Sequence, residues 1–312
     1  MMIWWLTMSP ADKARLRRGG RGTVTLRSGD AQLEAAPLHG GTLVSWNIAG
    51  IELLRRCPPG QTDPLQSACF PLAPFSNVVR GGGFHFQDRF HPLDRNHPLE
   101  SEPIHGDSWL SPWAVDELAG DRLLMSYAHT AARGFPFRYH VSQELVLHRR
   151  CLTITLRLTN ADVRAMPAGL GLHPYFHRHP GTRLHARHDG RWERTRALAD
   201  SRFCLPEEIG DDTIDVCYAG WSGLACLWPR DGVVVTIRAA APASALVVYS
   251  PAGSDFVCVE PVTNVNDGFN AAASGSRETG VRTLRPKEHM SLRVTMSVHL
   301  SGSPWRNPIS SG

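Results

Sequence analysis

Short alternations of apolar and polar residues recur along this chain, separated by Gly, Pro, Asn and Asp. Leu152, Ile154, Leu156 and Leu158 alternate with Thr153, Thr155 and Arg157, the two-residue period of a half-buried strand. The same pattern predicts a hairpin of Val24–Arg27 and Gln32–Ala36 turning at Ser28–Asp30. A second pairs Gly41–Ile48 with Ile51–Leu54 around Ala49 and Gly50. Further strands are predicted over Leu123–Ala128, Arg138–Leu147, Leu224–Leu227, Val233–Arg238, Ala245–Tyr249, Phe256–Val259 and Leu292–Leu300. Val, Ile, Thr and Leu fill them, as a pleated, half-buried surface requires. No helical period persists beyond about three turns. The prediction is an all-β chain, long enough for a large sandwich or barrel. Arg178–Asp200, rich in Arg and His, reads as an irregular excursion, and Ala271–Thr283 as loop. Residues 1–21 read as a loose extension and 302–312 as a tail, leaving one domain over 22–301.

Within this pattern Met166–Phe176 stands out, Met-Pro-Ala-Gly-Leu-Gly-Leu-His-Pro-Tyr-Phe. If extended, it points Leu170 and Leu172 to one face and Gly169, Gly171, His173 and Tyr175 to the other. The two glycines predict an open floor beside the histidine. Pro174 holds His173 extended and removes a ladder donor, so regular pairing should end there. Ser254–Asp267 repeats the arrangement. Phe256, Cys258 and Glu260 share one face, Val257 and Val259 the other, and Pro261 follows Glu260. Twice, then, an apolar strand delivers one ionisable group and is stopped by proline. A carboxylate in such surroundings is costly to bury: it is either paired with an arginine as a structural ion pair or desolvated, with the raised pKa useful to a general base.

Composition narrows the classes. Lys+Arg number 33 against 29 Asp+Glu, a net +4, too little and too dispersed to indicate nucleic acid or an anionic membrane. Seven cysteines, odd in number and without a Cys-x-x-Cys pair, suggest reduced thiols in a cytoplasmic protein. The apolar N-terminus precedes its positive charges, the reverse of a signal peptide, and no run approaches a membrane helix. A soluble protein is expected.

Other stretches could carry chemistry. Pro103–Trp109 is a polar turn holding His105, with Trp113 beyond. Phe70–Phe84 contains Asn77, Arg80 and a glycine triplet that lacks the Lys-Ser/Thr ending of a phosphate loop. Asp215 leads into an aromatic strand. His177, His179, His185 and His188 could suggest a metal, but Arg183, Arg187 and Arg191 lie among them and no Cys accompanies them. Solvated, loop-borne residues account for these better.

Taken together the segments resemble the aldose 1-epimerase (mutarotase) family, from roughly Thr23 to Leu300. The carriers are Gly40-Gly-Thr-Leu-Val44, Pro-Phe-Ser-Asn77, Ile104-His-Gly106, Gly171-Leu-His-Pro-Tyr-Phe176, Asp215 ahead of Gly220-Trp221, and Cys258-Val-Glu-Pro261 with Asn264. The resemblance implies a large, mostly antiparallel β-sandwich. It implies Glu260 as general base, His173 as general acid, His105 as the second histidine holding the substrate, and Asp215 and Asn77 as sugar-binding residues. Val78 stands where the family's arginine is usual, with Arg80 two residues on as a possible substitute.

The implied activity interconverts anomers of a free sugar. A base takes the C1 hydroxyl proton and an acid protonates the ring oxygen. The ring opens, the aldehyde turns, and closure reverses both transfers. No metal, nucleotide or covalent nucleophile is required, and His173 and Glu260 should meet across the sandwich. Tyr175, Phe176 and Trp109 could offer apolar faces to the sugar. A hexose-6-phosphate 1-epimerase would use the same acid and base with an arginine fork, for which Arg178, Arg183, Arg187, Arg191, Arg194 and Arg196 are candidates. A non-catalytic sugar-binding module on the same fold is the other alternative. The expected partner is a small sugar, with no nucleic acid or membrane, and the protein a monomer or homodimer.

Overall fold

The computed structural model describes residues 22–131 and 134–300. The predicted N-terminal extension and the tail lie outside these residues. Two large sheets dominate. The larger has eleven strands: β1 (Val24–Ser28), β2 (Ala31–Ala36), β3 (Thr42–Ile48), β5 (Cys69–Leu72), β13 (Gly171–His177), β22 (Phe256–Val262), β21 (Ala245–Ser250), β18 (Ile214–Ala219), β15 (Gly190–Glu193) and β16 (Arg196–Leu198) follow one another, and β4 (Ile51–Glu52) adds to β3. The smaller has nine: β17 (Glu207–Glu208), β14 (Arg183–Ala186), β19 (Leu224–Arg230), β20 (Val233–Ala239), β24 (His289–Leu300), β11 (Cys151–Asn160), β10 (Arg138–His148), β9 (Arg122–Thr130) and β8 (Ala114–Leu118). Two short pairs, β6 (Gly83–Phe86) with β7 (Arg89–Pro92) and β12 (Met166–Ala168) with β23 (Arg282–Leu284), and the helix α1 (Gly268–Ala273) complete it. Neighbouring strands run antiparallel, as in β10–β11 and β13–β22.

The alternation in the sequence explains the layers. Leu33, Trp46, Leu172 and Val259 from the larger sheet meet Leu145, Leu156 and Val294 from the smaller in one continuous core. Each such side chain contributes roughly 1.5–3 kcal/mol by leaving water. Period 2 then sends the intervening residues of the larger sheet to its outer face. There Phe70, Tyr175, Cys217, Val247 and Cys258 form a second apolar cluster, and the 104–109 turn lays Trp109 over it. The functional candidates lie on this outer face.

Three expectations change. Arg178–Asp200 is not an irregular excursion: it supplies β14, β15 and β16. The strands are too short, and their polar faces too rich in Arg and His, for a clear apolar alternation. His185 within it is buried and His188 stacks on Tyr218 at 4.0 Å, so neither is solvated loop. Ala271–Thr283 contains the end of α1 and the start of β23. Met166–Phe176 is extended in two pieces, broken at Gly169 and Leu170. All seven cysteines are free thiols. Among the described residues no helix is long and apolar enough to cross a membrane.

Candidate active site

The register of β13 against β22 creates the centre of the site. Gly171 faces Val262 and Tyr175 faces Cys258, which sets His173 opposite Glu260. Pro174 and Pro261 follow these two residues but do not end pairing as expected: each strand runs on, Pro174 pairs with Cys69 and Pro261 with Leu246, and only the β13–β22 ladder skips residues 172–174. Cross-strand neighbours share a face, and His173 Nε2 lies 3.2 Å from Glu260 Oε1. The pair does not meet across the sandwich, as the sequence suggested. It forms side by side within one sheet, on the outer face. Nor do the glycines leave an open floor. A Cβ on Gly169 would collide with Asn264 Oδ1, and one on Gly171 would press on Val262 and Leu72. Their small size admits neighbouring protein. Asn264 in turn accepts from the Ser76 amide at 3.1 Å and donates to the Ser76 carbonyl at 3.2 Å, tying the Asn77 loop to the strand that carries Glu260.

His173 and Glu260 are 6% and 2% exposed. Phe70 and Tyr175 sandwich the imidazole, with ring centroids at 4.5 and 4.6 Å. Burial holds the His173 pKa well below its ordinary value, with His105 and Arg55 adding repulsion. Burial pushes Glu260 well above the carboxylate range, and the charge of Asp215 adds to it. Low dielectric disfavours the charged form of each. The pair therefore holds one proton over the interval between the two shifted values.

His105 sits in a backbone region that favours glycine (φ 61°). Its amide donates to the Asn77 carbonyl and its Nδ1 accepts from the Asn77 amide, both at 3.0 Å. With Nδ1 an acceptor, the proton of the neutral ring is on Nε2. Burial, helped by His97, pushes its pKa down to about 3. Behind it, Asp107 receives bonds from the Tyr139 and Tyr127 hydroxyls and lies 2.6 Å from His129 Nδ1. His129 Nε2 meets the Phe135 carbonyl at 2.8 Å. Acceptors on both nitrogens describe an imidazolium. Burial opposes that charge, but the bond to Asp107 and its charge raise the His129 pKa.

A cleft of about 360 Å³ opens over these groups. Glu260, His173, His105, Asp215, Asn77, Trp109 and Tyr175 all line it, as does Val78. Trp109 is held by its indole N–H on the Gly106 carbonyl (2.9 Å) and stacks on Phe70 at 5.1 Å. Phe176, in contrast, belongs to the inner core. Asp215 is exposed at the cleft; the walls raise its pKa and Arg80 lowers it. Arg80 itself is exposed and does not line the cleft. The neighbouring glycines are occupied internally, since the Gly81 and Gly82 amides each donate to the Glu102 carboxylate at 3.2 Å.

The guanidinium in the cleft is Arg55, which sequence reasoning missed. Its Nη2 donates to the Leu65 carbonyl at 2.6 Å, and its plane lies over Tyr175 (4.0 Å) and Phe256 (4.6 Å). Nε is buried without a partner. The visible signal was slight: Leu53-Leu54-Arg55, an arginine directly after two core leucines. None of the six arginines between 178 and 196 lines the cleft. Arg178 is engaged with Ser254 and Gly210 carbonyls, and Arg191 with Glu193.

The model of the family described as Aldose 1-epimerase matches residues 22–297. The uncharacterized protein YphB of Escherichia coli (strain K12) is 32% identical over 295 residues, spanning 86% of this chain and 98% of the relative. A crystal structure from Escherichia coli K12 superposes with a TM-score of 0.80 at 28% identity, covering 89% of this chain and 99% of that one. A galactose mutarotase-like protein from Clostridium acetobutylicum has the same fold, with a TM-score of 0.73 at 19% identity over 89% of this chain and 95% of that one.

Proposed function

The chain belongs to the aldose 1-epimerase family, and on that premise we propose that it interconverts the α and β anomers of unphosphorylated aldohexoses. The observation that carries this reading is the buried His173–Glu260 pair, an imidazole and a carboxyl group 3.2 Å apart beside a sugar-sized cleft. Burial favours the proton on Glu260; once it passes to His173 beside the bound sugar, Glu260 removes the C1 hydroxyl proton while His173 protonates the ring oxygen. The C1–O5 bond breaks, the aldehyde turns about C1–C2, and reclosure returns both protons. The opposite placement of the proton exchanges the two roles with the same balance. Correctly placed, each group is worth roughly 10²–10⁴ in rate.

The neighbours supply binding. His105 offers an N–H, Asp215 accepts from hydroxyls, and Trp109 and Tyr175 present ring faces to C–H groups. Arg55 gives the cleft the guanidinium absent at Val78, held rigid by a carbonyl and two rings. Two carboxylates besides Glu260, Glu100 and Asp215, line the cleft against one arginine among the described residues. This balance disfavours a phosphate, which calls for a fork of cations, and favours a neutral sugar. A binding module has no need of a matched acid and base.

Polarimetry of freshly dissolved α-D-glucose and α-D-galactose, in a buffer that catalyses poorly, tests the reading. The wild type should speed the approach to equilibrium, and Glu260→Gln should lose most of that gain. Glucose 6-phosphate should be a poorer substrate. Rates equal to the blank for both free sugars would defeat the proposal.

A further inference from the structure

Three donor atoms of different chemistry meet where His173 and Glu260 line the cleft and Cys258 lies fully buried beside them. A ring nitrogen of His173, Cys258 Sγ and a carboxylate oxygen of Glu260 lie within 4.8 Å of one another, and all three side chains are buried. The grouping follows from the strands. Cys258 and Glu260 are two residues apart on β22 and so share a face, and the register sets His173 opposite Glu260. Proton transfer to a sugar uses the histidine and the carboxylate and leaves the thiol without a task.

One nitrogen, one sulfur and one oxygen make a borderline-soft donor set suited to zinc and poor for magnesium or calcium. Bonds of roughly 2.0–2.3 Å at tetrahedral angles place ligand atoms roughly 3.3–3.8 Å apart. The 3.2 Å between His173 Nε2 and Glu260 Oε1 is already close to that edge. A thiolate, a carboxylate and a neutral imidazole cancel the charge of a divalent ion, so the ion would be buried without net charge, the condition that makes such burial affordable. Three protein ligands leave a fourth position for water on the cleft side.

We propose that His173, Cys258 and Glu260 form a binding site for a divalent cation of the zinc class, and that occupancy shuts the cleft to sugar. Coordination engages the lone pair of His173 Nε2 and the carboxylate of Glu260, the two groups the acid–base reading needs free. Cation and sugar therefore exclude one another. The inhibitory half of the proposal rests on that reading; the binding half does not.

The test titrates chelator-treated full-length protein with Co²⁺ and then Zn²⁺. The wild type should bind one Co²⁺ with a thiolate-to-cobalt absorption band that Zn²⁺ displaces, and millimolar Mg²⁺ should not compete. Cys258→Ser and Cys258→Ala should abolish the band and weaken Zn²⁺ binding at least tenfold. Both should retain anomer interconversion, now resistant to zinc, where the wild type is inhibited competitively with sugar. Two variants guard against one failing to fold. Absence of the band in the wild type, or its persistence in both variants, would overturn the site. A wild type that binds zinc at Cys258 but has no activity on any sugar would instead sink the acid–base reading and leave the site standing.

Discussion

His173 stands directly across from Glu260 on the neighbouring strand, and each is followed by a proline. The geometry of the pair is thus a property of strand register. A slip of one residue would send either side chain into the inner core, so the sandwich that buries Leu172 and Val259 also fixes the His173–Glu260 pair.

Removing the carboxylate should separate activity from stability. Glu260→Gln is expected to lower kcat/KM by about 10²–10⁴. Glu260 has a folded pKa raised above its ordinary 4.5. Its contribution to stability is therefore full below 4.5 and is lost as pH rises through the folded value. The amide has no charge to desolvate, so the variant should gain in melting temperature over the wild type as pH increases from 4.5. Calorimetry across pH 4–9 checks this.

The sign reverses for His105, whose folded pKa is pushed down to about 3. Its contribution is full above 6.5 and is lost as pH falls from 6.5 toward 3. Activity should follow the pair itself. A doubly protonated pair cannot accept the C1 proton, and His173 resists protonation until well below 6.5. The acid limb of kcat/KM should therefore have its midpoint well below pH 6.5, and a midpoint at or above 6.5 would contradict the assignment.

The resemblance made most residues of the candidate site legible in the sequence. The His-Pro and Glu-Pro endings and the faces of Phe256–Glu260 were visible because period 2 is strict over an apolar strand. Long strands such as β10 and β11 were found for the same reason. What was not legible depends on distance in sequence. Arg55 reaches the cleft because β13 runs beside the 53–55 segment, where the Arg55 amide donates to the Tyr175 carbonyl at 2.7 Å. Asp107 looked like a turn residue, and its partners Tyr127, His129 and Tyr139 lie on β9 and β10. Short strands such as β14 to β16 carry too few residues for any period to emerge.

Arg55 is expected to act on binding more than on turnover. Arg55→Gln removes charged hydrogen bonds worth about 1.5–3 kcal/mol, so KM for the preferred sugar should rise roughly 10–100-fold with a smaller change in kcat. Arg55→Lys should recover little, since a lysine keeps the charge and loses the planar stack. Steady-state kinetics with both variants decide; unchanged KM in both would remove Arg55 from the binding set.

The Asp107 cluster should hold the His105 turn in place. Asp107→Asn leaves His129 without its partly buried carboxylate partner, and a loss of roughly 1–3 kcal/mol is expected for hydrogen bonds to a charged group. Chemical denaturation should show a loss of this order, with a rise in KM reflecting the loosened His105. Tyr127→Phe should cost less, because Tyr139 still donates to Asp107.

Gly169→Ala should destabilise by about 1–3 kcal/mol through overpacking against Asn264. Gly29→Ala, where a Cβ would meet nothing within 4 Å but φ is positive (61°), is a control for backbone strain alone. Activity should fall only for the first, because only Gly169 packs against the residue that ties the Asn77 loop to the strand of Glu260.

The central claim is ring opening by a shared proton between His173 and Glu260, and exchange NMR of an equilibrated aldohexose in D₂O tests it most directly. The account predicts magnetisation transfer between the two anomeric C1–H resonances with wild type and at most the blank level with Glu260→Gln. The C1 and C2 hydrogens should be retained throughout, because only O–H bonds and the C1–O5 bond are broken. No enhanced exchange with wild type, or deuterium appearing at C2, would contradict it.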